Sequence, residues 1–391
     1  MKGQRKYPEI YLAIDNCFAY KRWTEPESWA KVISELGIKY IEASADTELD
    51  PLYMGEDYIS DWIERVKEAE KKYGVKVANL YSGHGTYSTL GLTHTDARVR
   101  KRMEERWFKP MIDVAAVLGA GMGFFAHGFA ESIMQDRELY KSYKEGLTQS
   151  LGRLAAYGAQ KGCGKLGVEQ MYVPYMIPWT IEGTASLLKE VKQNTGKNFY
   201  FTEDLGHHHR KFQMPSREEI LRAFENKEKY IWLGPEKAYA VYDAALERES
   251  LSEDELTEIE SLMKEHIYFF TNEKDRDCYE WLRQLGCYSP IVHLQQTNGT
   301  MSAHRPFTET ENQRGIIEGS RVLRALKESY DREEEEGMPE RCGRIYLTLE
   351  LFSSTTQTAR EILEFCEESV SYWRKFIPRD GMNLAELTER I

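Results

Sequence analysis

Residues 199–209 read FYFTEDLGHHH: an aromatic-rich run that ends in two acids and then in imidazoles. So short and apolar a run suits a strand buried on both faces, as a parallel sheet requires. Three other runs end in the same way, KLGVEQMY at 165–172, SPIVHLQQTNG at 289–299 and RIYLTLELF at 344–352. Each closes on a side chain able to bind a metal, in the order Glu169, Asp204, His293 and Glu350.

Four more strand-like runs lie upstream, at Ile10 to Asp15, Ile38 to Ala43, Val75 to Tyr81 and Gly121 to Gly128. Helical patterns fill the intervals, among them Glu27 to Leu36, Asp57 to Tyr73, Asp96 to Leu118, Glu311 to Tyr330 and Thr358 to Lys375. Eight strand–helix units in 391 residues predict an α/β fold, a (β/α)8 TIM barrel spanning 1–391 as one domain. An open doubly wound sheet would carry a Gly-rich phosphate turn after the first strand, and AIDNCFAYKRW at 13–23 has none.

The interval from Asp204 to His293 is far longer than one crossover needs. It contains SREEILRAFENKEK (216–229), PEKAYAVYDAALERE (235–249) and SEDELTEIESLMKEHIYFF (252–270). Serine caps and first-turn glutamates mark helix starts there. We expect a helical insertion after strand six, approximately 212–286, seated on the barrel; covering the active site and building an oligomer interface are both open roles. The acidic run at 331–340 reads as a solvated loop.

The hydrophobic share of 41% and charged share of 30% fit a globular protein with a full core. No apolar run is long enough to span a membrane. The segment MKGQRKYPEIYLAID lacks the apolar region and cleavage site of a signal peptide, so a cytoplasmic location is expected. A net charge of −12 argues against nucleic acid or an anionic membrane as partner. It leaves room for an anionic small substrate, since a local basic pocket works inside an acidic protein. The six cysteines form no CxxC pair and match no zinc module, so reduced, buried thiols are expected.

In a barrel, strand C-termini converge on one pocket. Glu169, Asp204, His293 and Glu350 therefore form a candidate metal site. Three carboxylates and one imidazole favour a hard or borderline divalent ion: Mn2+ first, with Mg2+, Co2+ or Zn2+ as alternatives. Any one of these residues alone is ordinarily a helix cap or an ion-pair partner. Four together are another matter, because burying like charges side by side without a cation is costly.

In this order the set resembles the xylose-isomerase-like superfamily, in its sugar phosphate isomerase/epimerase and tagatose 3-epimerase branch. That family carries Glu on strand five, Asp on strand six with His three residues on, His on strand seven and Glu on strand eight. Here these are Glu169, Asp204 with His207, His293 and Glu350. The match runs through nearly the whole chain in element order, although its motifs are short. The insertion and the length depart from compact members. The resemblance implies a metal on Glu169, Asp204, His293 and Glu350, with Glu169 and Glu350 as the acid/base pair on opposite faces of a small ketose or ketose phosphate. The chemistry would pass through an enediolate, giving an epimer or an aldose according to where the proton returns. The resemblance also implies a homo-oligomer, a dimer or tetramer.

Further residues bear on the substrate. His207 matches the family's substrate-binding histidine. In GHHHRK (206–211), His208, His209, Arg210 and Lys211 form either an anion pocket or a solvated basic loop. After strand seven, His304 and Arg305 lie on a loop above the barrel, and Gln295 and Asn298 are within reach of sugar hydroxyls. Arg305 suits a phosphate through its two-pronged fork, or pairs with Glu309 or Glu311 instead. Two basic loops over an acidic site favour an anionic sugar. His84 and His127 are candidates for substrate contact or for plain packing, and Glu42 for the inner polar layer. Phe18, Tyr20, Trp23, Tyr172 and Trp179 fall in the loops after strands one and five, where aromatic faces stack on sugar C–H surfaces or simply pack. Other readings on the same scaffold are a metal-dependent hydrolase or endonuclease, a sugar-acid lyase, and a non-catalytic carbohydrate-binding barrel. A nuclease would need more histidine ligands and a basic groove.

Overall fold

The computed structural model describes residues 6–208 and 212–391. Its strands are β1 (Glu9–Asp15), β2 (Tyr40–Ser44), β3 (Lys76–Tyr81), β4 (Gly121–Phe124), β5 (Leu166–Glu169), β6 (Tyr200–Asp204), β7 (Ile291–Leu294) and β8 (Arg344–Leu349). Neighbours in sequence pair in parallel, and β1 pairs with both β2 and β8, which closes the (β/α)8 barrel. β4 to β7 are buried along their whole length, which is why their sequences run apolar without alternation. A two-residue strand, β9 (Met382–Asn383), adds antiparallel to the start of β1. Periodicity gave no sign of it, because two residues are too few to show a period.

Register puts the ligand-type residues on one rim. Asp204 of β6 lies beside His293 of β7, and His293 lies beside Thr348, two residues before Glu350. The helix after β3 runs from Ala97 to Leu118 with one wide turn at Glu104–Phe108, and Glu104 in that turn pairs with Arg153. The helix expected from Glu311 to Tyr330 is broken into Glu309–Arg314 and Glu318-capped Gly319–Asp331. Between the two, Ile316 and Ile317 give their backbone N–H groups to Thr297 O and Gln296 Oε1 rather than to a helical turn.

After β6 come the helices Arg217–Glu225, Glu236–Arg248 and Glu253–Glu265. Ser216 with Glu219, and Ser252 with Glu255, form reciprocal capping boxes at two of their starts. The turn that follows them, Ile267–Phe269, leans on the segment after β4: Tyr268 stacks on Tyr140 with centroids 3.8 Å apart and donates to Met134 O at 2.7 Å. The next helix, Cys278–Leu285, packs against Ile181–Thr195 and Gly319–Asp331 and so takes the place of the barrel's own helix between β6 and β7.

Elsewhere, a buried carboxylate ties the helices Pro26–Glu35 and Glu56–Tyr73 to the loop after β1. Glu48, just after β2, accepts from the indole N–H groups of Trp29 and Trp62 at 3.2 and 3.0 Å, and also from Asn16 after β1. Burial is the chief influence on it and raises its carboxyl to about 7 against those three donors. All six cysteines are buried and unpaired, as their spacing led us to expect. Among the described residues no helix is long and apolar enough to cross a membrane.

Candidate metal centre and substrate chamber

Glu169 and Asp204 end β5 and β6, His293 is the last residue but one of β7, and Glu350 immediately follows β8. Each offers one ligand atom, and those atoms all lie within 4.8 Å of one another. His293 Nδ1 is 3.5 Å from Glu169 Oε1 and 3.6 Å from Glu350 Oε2, and it has no hydrogen-bond partner. An orphaned imidazole nitrogen facing two carboxylates, with a third adjoining, is a donor set short of a cation. The residues fit a divalent ion with oxygen and nitrogen ligands.

Neighbouring side chains hold the ligands in place. Asp204 accepts from Gln295 Nε2 at 2.9 and 3.0 Å and from Gly206 N at 2.7 Å. Its Oδ2 is also 3.0 Å from His207 Nε2. Burial alone would raise the Asp204 carboxyl; His207, with His293 and His304 beyond it, outweighs burial and holds it below the usual carboxylate range. The same pairing acts on His207. Burial opposes its charge, but Asp204 and then Glu169 raise it to about 9. Burial raises the Glu169 carboxyl, against the pull of His293 and His207. Asp15, at the end of β1, is pushed well above the carboxylate range by burial and by Glu350, and its Oδ2 has no hydrogen-bond partner.

Above the ligands opens a chamber of about 390 Å3. Glu169, Glu350, His207, His304 and His84 reach it, and Tyr81, Tyr87, Phe125, Tyr172 and Phe352 supply most of its apolar wall. His304 has a left-handed backbone (φ 45°) and places Nδ1 3.2 Å from Glu350 Oε2. Among the described residues no lysine or arginine lines the chamber.

Several expected contacts fall elsewhere. Gln295 is fully buried and spends its amide on Asp204, on Ser302 and on the backbone N–H groups of Ala303 and His304, so it positions a ligand and a loop rather than meeting a sugar hydroxyl. Arg305 pairs with Glu311 at 3.0 Å, as in the ion-pair alternative, and is outside the chamber lining. Asn298 accepts from Thr300 within its own turn. Trp23 lines a neighbouring cavity of about 340 Å3 that shares His84 with the chamber. His127 is buried against Phe108 and Phe125, away from the chamber. His208 turns to Glu203 at 3.2 Å. His209, Arg210 and Lys211 lie outside the described residues. The sequence reading missed Tyr87, Phe125 and Phe352 as wall residues. Phe352 had a signal, since it follows Glu350 by two residues, the period that keeps a strand's side chains on one face.

A family model described as "Xylose isomerase-like TIM barrel" matches residues 30–233. The D-erythrulose 1-phosphate 3-epimerase of Brucella abortus (strain 2308) is 31% identical over 114 residues, which is 29% of this chain. That match spans 33% of the relative's own length. Among solved structures, a xylose isomerase-type protein of Rhodospirillum rubrum ATCC 11170 superposes with a TM-score of 0.66 at 16% identity, covering 94% of this chain and 99% of that one. D-allulose 3-epimerase from Methylomonas sp. gives 0.53 at 16%, covering 95% and 98%. L-ribulose 3-epimerase gives 0.55 at 14%, covering 97% and 96%. At these identities the superpositions show the barrel itself.

Proposed function

This chain belongs to the xylose isomerase-like TIM barrel family, and from that premise we propose that it is a divalent-metal-dependent epimerase or isomerase of a small ketose or ketose phosphate. One observation carries the reading: Glu169, Asp204, His293 and Glu350 bring their ligand atoms within 4.8 Å of one another at the floor of a chamber large enough for a sugar. The relative named above, whose own substrate is a ketose phosphate, supports the substrate class.

Glu169, Asp204, His293 and Glu350 would hold the ion, with Mn2+ the best match to their oxygen-rich donor set. Bound there, a divalent cation polarises a carbonyl oxygen and stabilises negative charge developing on it. The chain supplies the proton transfers. One carboxylate of the Glu169 and Glu350 pair takes the proton from the carbon beside the carbonyl, and the C–H electrons pass to the carbonyl oxygen. When that carbon is C3, the other returns a proton to its opposite face, giving the epimer; when it is C1, a proton returned to the former carbonyl carbon, with the C1 hydroxyl proton passing to the former carbonyl oxygen, gives the aldose. His207 holds the Asp204 ligand through Nε2 at 3.0 Å, its Nδ1 lies 2.7 Å from Gln170 O, and its ring lines the chamber against the substrate. The aromatic wall keeps bulk water from the reacting carbon.

The test is solvent exchange. Protein stripped of metal and reloaded with Mn2+ is incubated in D2O with four- to six-carbon ketoses, free and 1-phosphorylated, and followed by NMR. Deuterium should enter the carbon beside the carbonyl only in the loaded protein. No exchange with any of these sugars would overturn the reading.

A further inference from the structure

We propose that Glu42 and Asn79 select the tautomer of His293 and thereby decide whether its Nδ1 is free to bind a metal ion, an inference that rests on the metal-dependent reading above. An imidazole coordinates only through a nitrogen that carries no proton. His293 is buried, with Nε2 3.0 Å from Glu42 Oε2 and Nδ1 facing Glu169 and Glu350. An ionised carboxylate accepts hydrogen bonds and donates none. Glu42 therefore keeps the proton on Nε2 and leaves the Nδ1 lone pair on the ligand side.

Asn79 orients Glu42 in turn. Its Nδ2 donates to Glu42 Oε1 at 2.6 Å and to Leu80 O at 2.9 Å, two acceptors that fix which way the amide faces. The β2–β3 ladder skips a residue to make this pairing: Ile41 lies opposite Val77, but Glu42 lies opposite Asn79. β4 makes room for the amide with glycine. A Cβ at Gly121 would stand 2.7 Å from Asn79 Oδ1, and one at Gly123 would stand 3.2 Å from Asn79 Nδ2. Strands β2, β3 and β4 are thus committed, through a bulge and two glycines, to one ring nitrogen on β7.

The arrangement makes a counterintuitive demand. In Glu42→Gln the new amide oxygen meets the Asn79 NH2, so its own NH2 faces His293 Nε2. Nε2 must then accept, and the proton moves to Nδ1, where the metal should sit. Glu42→Ala only removes the bias. Glu42→Gln should therefore bind Mn2+ more weakly than Glu42→Ala, with a loss against wild type of about 10- to 100-fold. In Glu42→Gln/Asn79→Ala the amide is free to turn its oxygen to Nε2, and part of the affinity should return.

Metal-stripped full-length proteins are titrated with Mn2+ by calorimetry, after circular dichroism has checked their folding. The tautomer is read from 15N shifts of histidine-labelled, Mg2+-loaded protein, with His293 assigned by comparison with His293→Gln. Nε2–H in wild type, Nδ1–H in Glu42→Gln and the affinity order above are the expected results. Equal affinities for wild type and Glu42→Gln, a weaker effect than Glu42→Ala, or an Nδ1–H tautomer in wild type would each overturn the proposal. The wild-type spectrum decides even if a variant does not fold. If wild type binds no divalent ion, the metal reading falls and takes this one with it; if wild type binds and the variants match it, only this one falls.

Discussion

The His304 ring lies flat on Phe352, with centroids 3.8 Å apart and planes 11° from parallel, while His84 faces the same phenyl ring at 5.2 Å and 16°. Phe352 is thus a shared wall for two histidines of the chamber, and it is itself 40% exposed. An aromatic pair adds about 0.5–1.5 kcal/mol beyond the area it buries. Phe352→Ala should therefore raise KM roughly 2- to 12-fold by loosening His304. Its melting temperature should stay near that of wild type, because so exposed a ring contributes little to the core. Steady-state kinetics alongside thermal melts check both halves; a collapse in stability with unchanged KM would contradict this.

Gly206→Ala should disturb the metal centre from behind. A Cβ at Gly206 would stand 2.6 Å from Gln295 Nε2 and closer still to Cδ and Oε1. Gln295 cannot retreat without releasing Asp204 and the backbone of residues 303 and 304. We expect a loss of about 1–3 kcal/mol in urea unfolding, as for other overpacked sites, together with weaker Mn2+ binding by calorimetry.

Glu350→Gln should keep the fold and still bind metal while losing turnover. The amide retains an oxygen for the ion but cannot carry a proton to or from carbon. The expected fall in kcat is about 10^2- to 10^4-fold. Deuterium incorporation by single-turnover NMR measures it directly, and a variant with wild-type kcat would remove Glu350 from the acid/base role.

Glu48 makes a pH prediction whose sign can be worked out. Burial raises its carboxyl from an ordinary 4.5 to about 7, so the folded protein holds that proton more tightly than the unfolded chain does. The resulting stability is fully present below about 4.5 and is lost as pH rises through about 7. The interval is worth on the order of 3 kcal/mol. Urea unfolding of chelated protein between pH 4 and 8 should show wild type losing stability relative to Glu48→Gln across that window. Parallel curves would mean that Glu48 titrates normally.

Much of this architecture could be read before any coordinates. The four runs that end at Glu169, Asp204, His293 and Glu350 carried both the parallel barrel and the cluster of ligand-type side chains, because burial on both faces and a terminal polar residue are each local signals. The capping boxes at Ser216 and Ser252 were likewise local. What escaped was set by distant partners. For Arg305 the sequence left a phosphate contact and a pairing with Glu309 or Glu311 both open, and only the broken helix brings Glu311 beside it. Gln295 looked like a sugar contact, yet its surroundings come from residues 204 and 302–304. Glu42 was legible as an inner polar residue, but its link to His293 depends on a bulge that no periodicity reveals. Phe125 and Tyr87 came from loops whose paths are fixed only by packing.

The pair of tryptophans on Glu48 has an optical consequence. Both indole N–H groups point at Oε2 of one buried carboxyl, so ionising that group sets a negative charge beside two chromophores at once. The share of the chain's tryptophan emission that those two contribute therefore follows the protonation of a single side chain, at the junction where the first two strand–helix units meet.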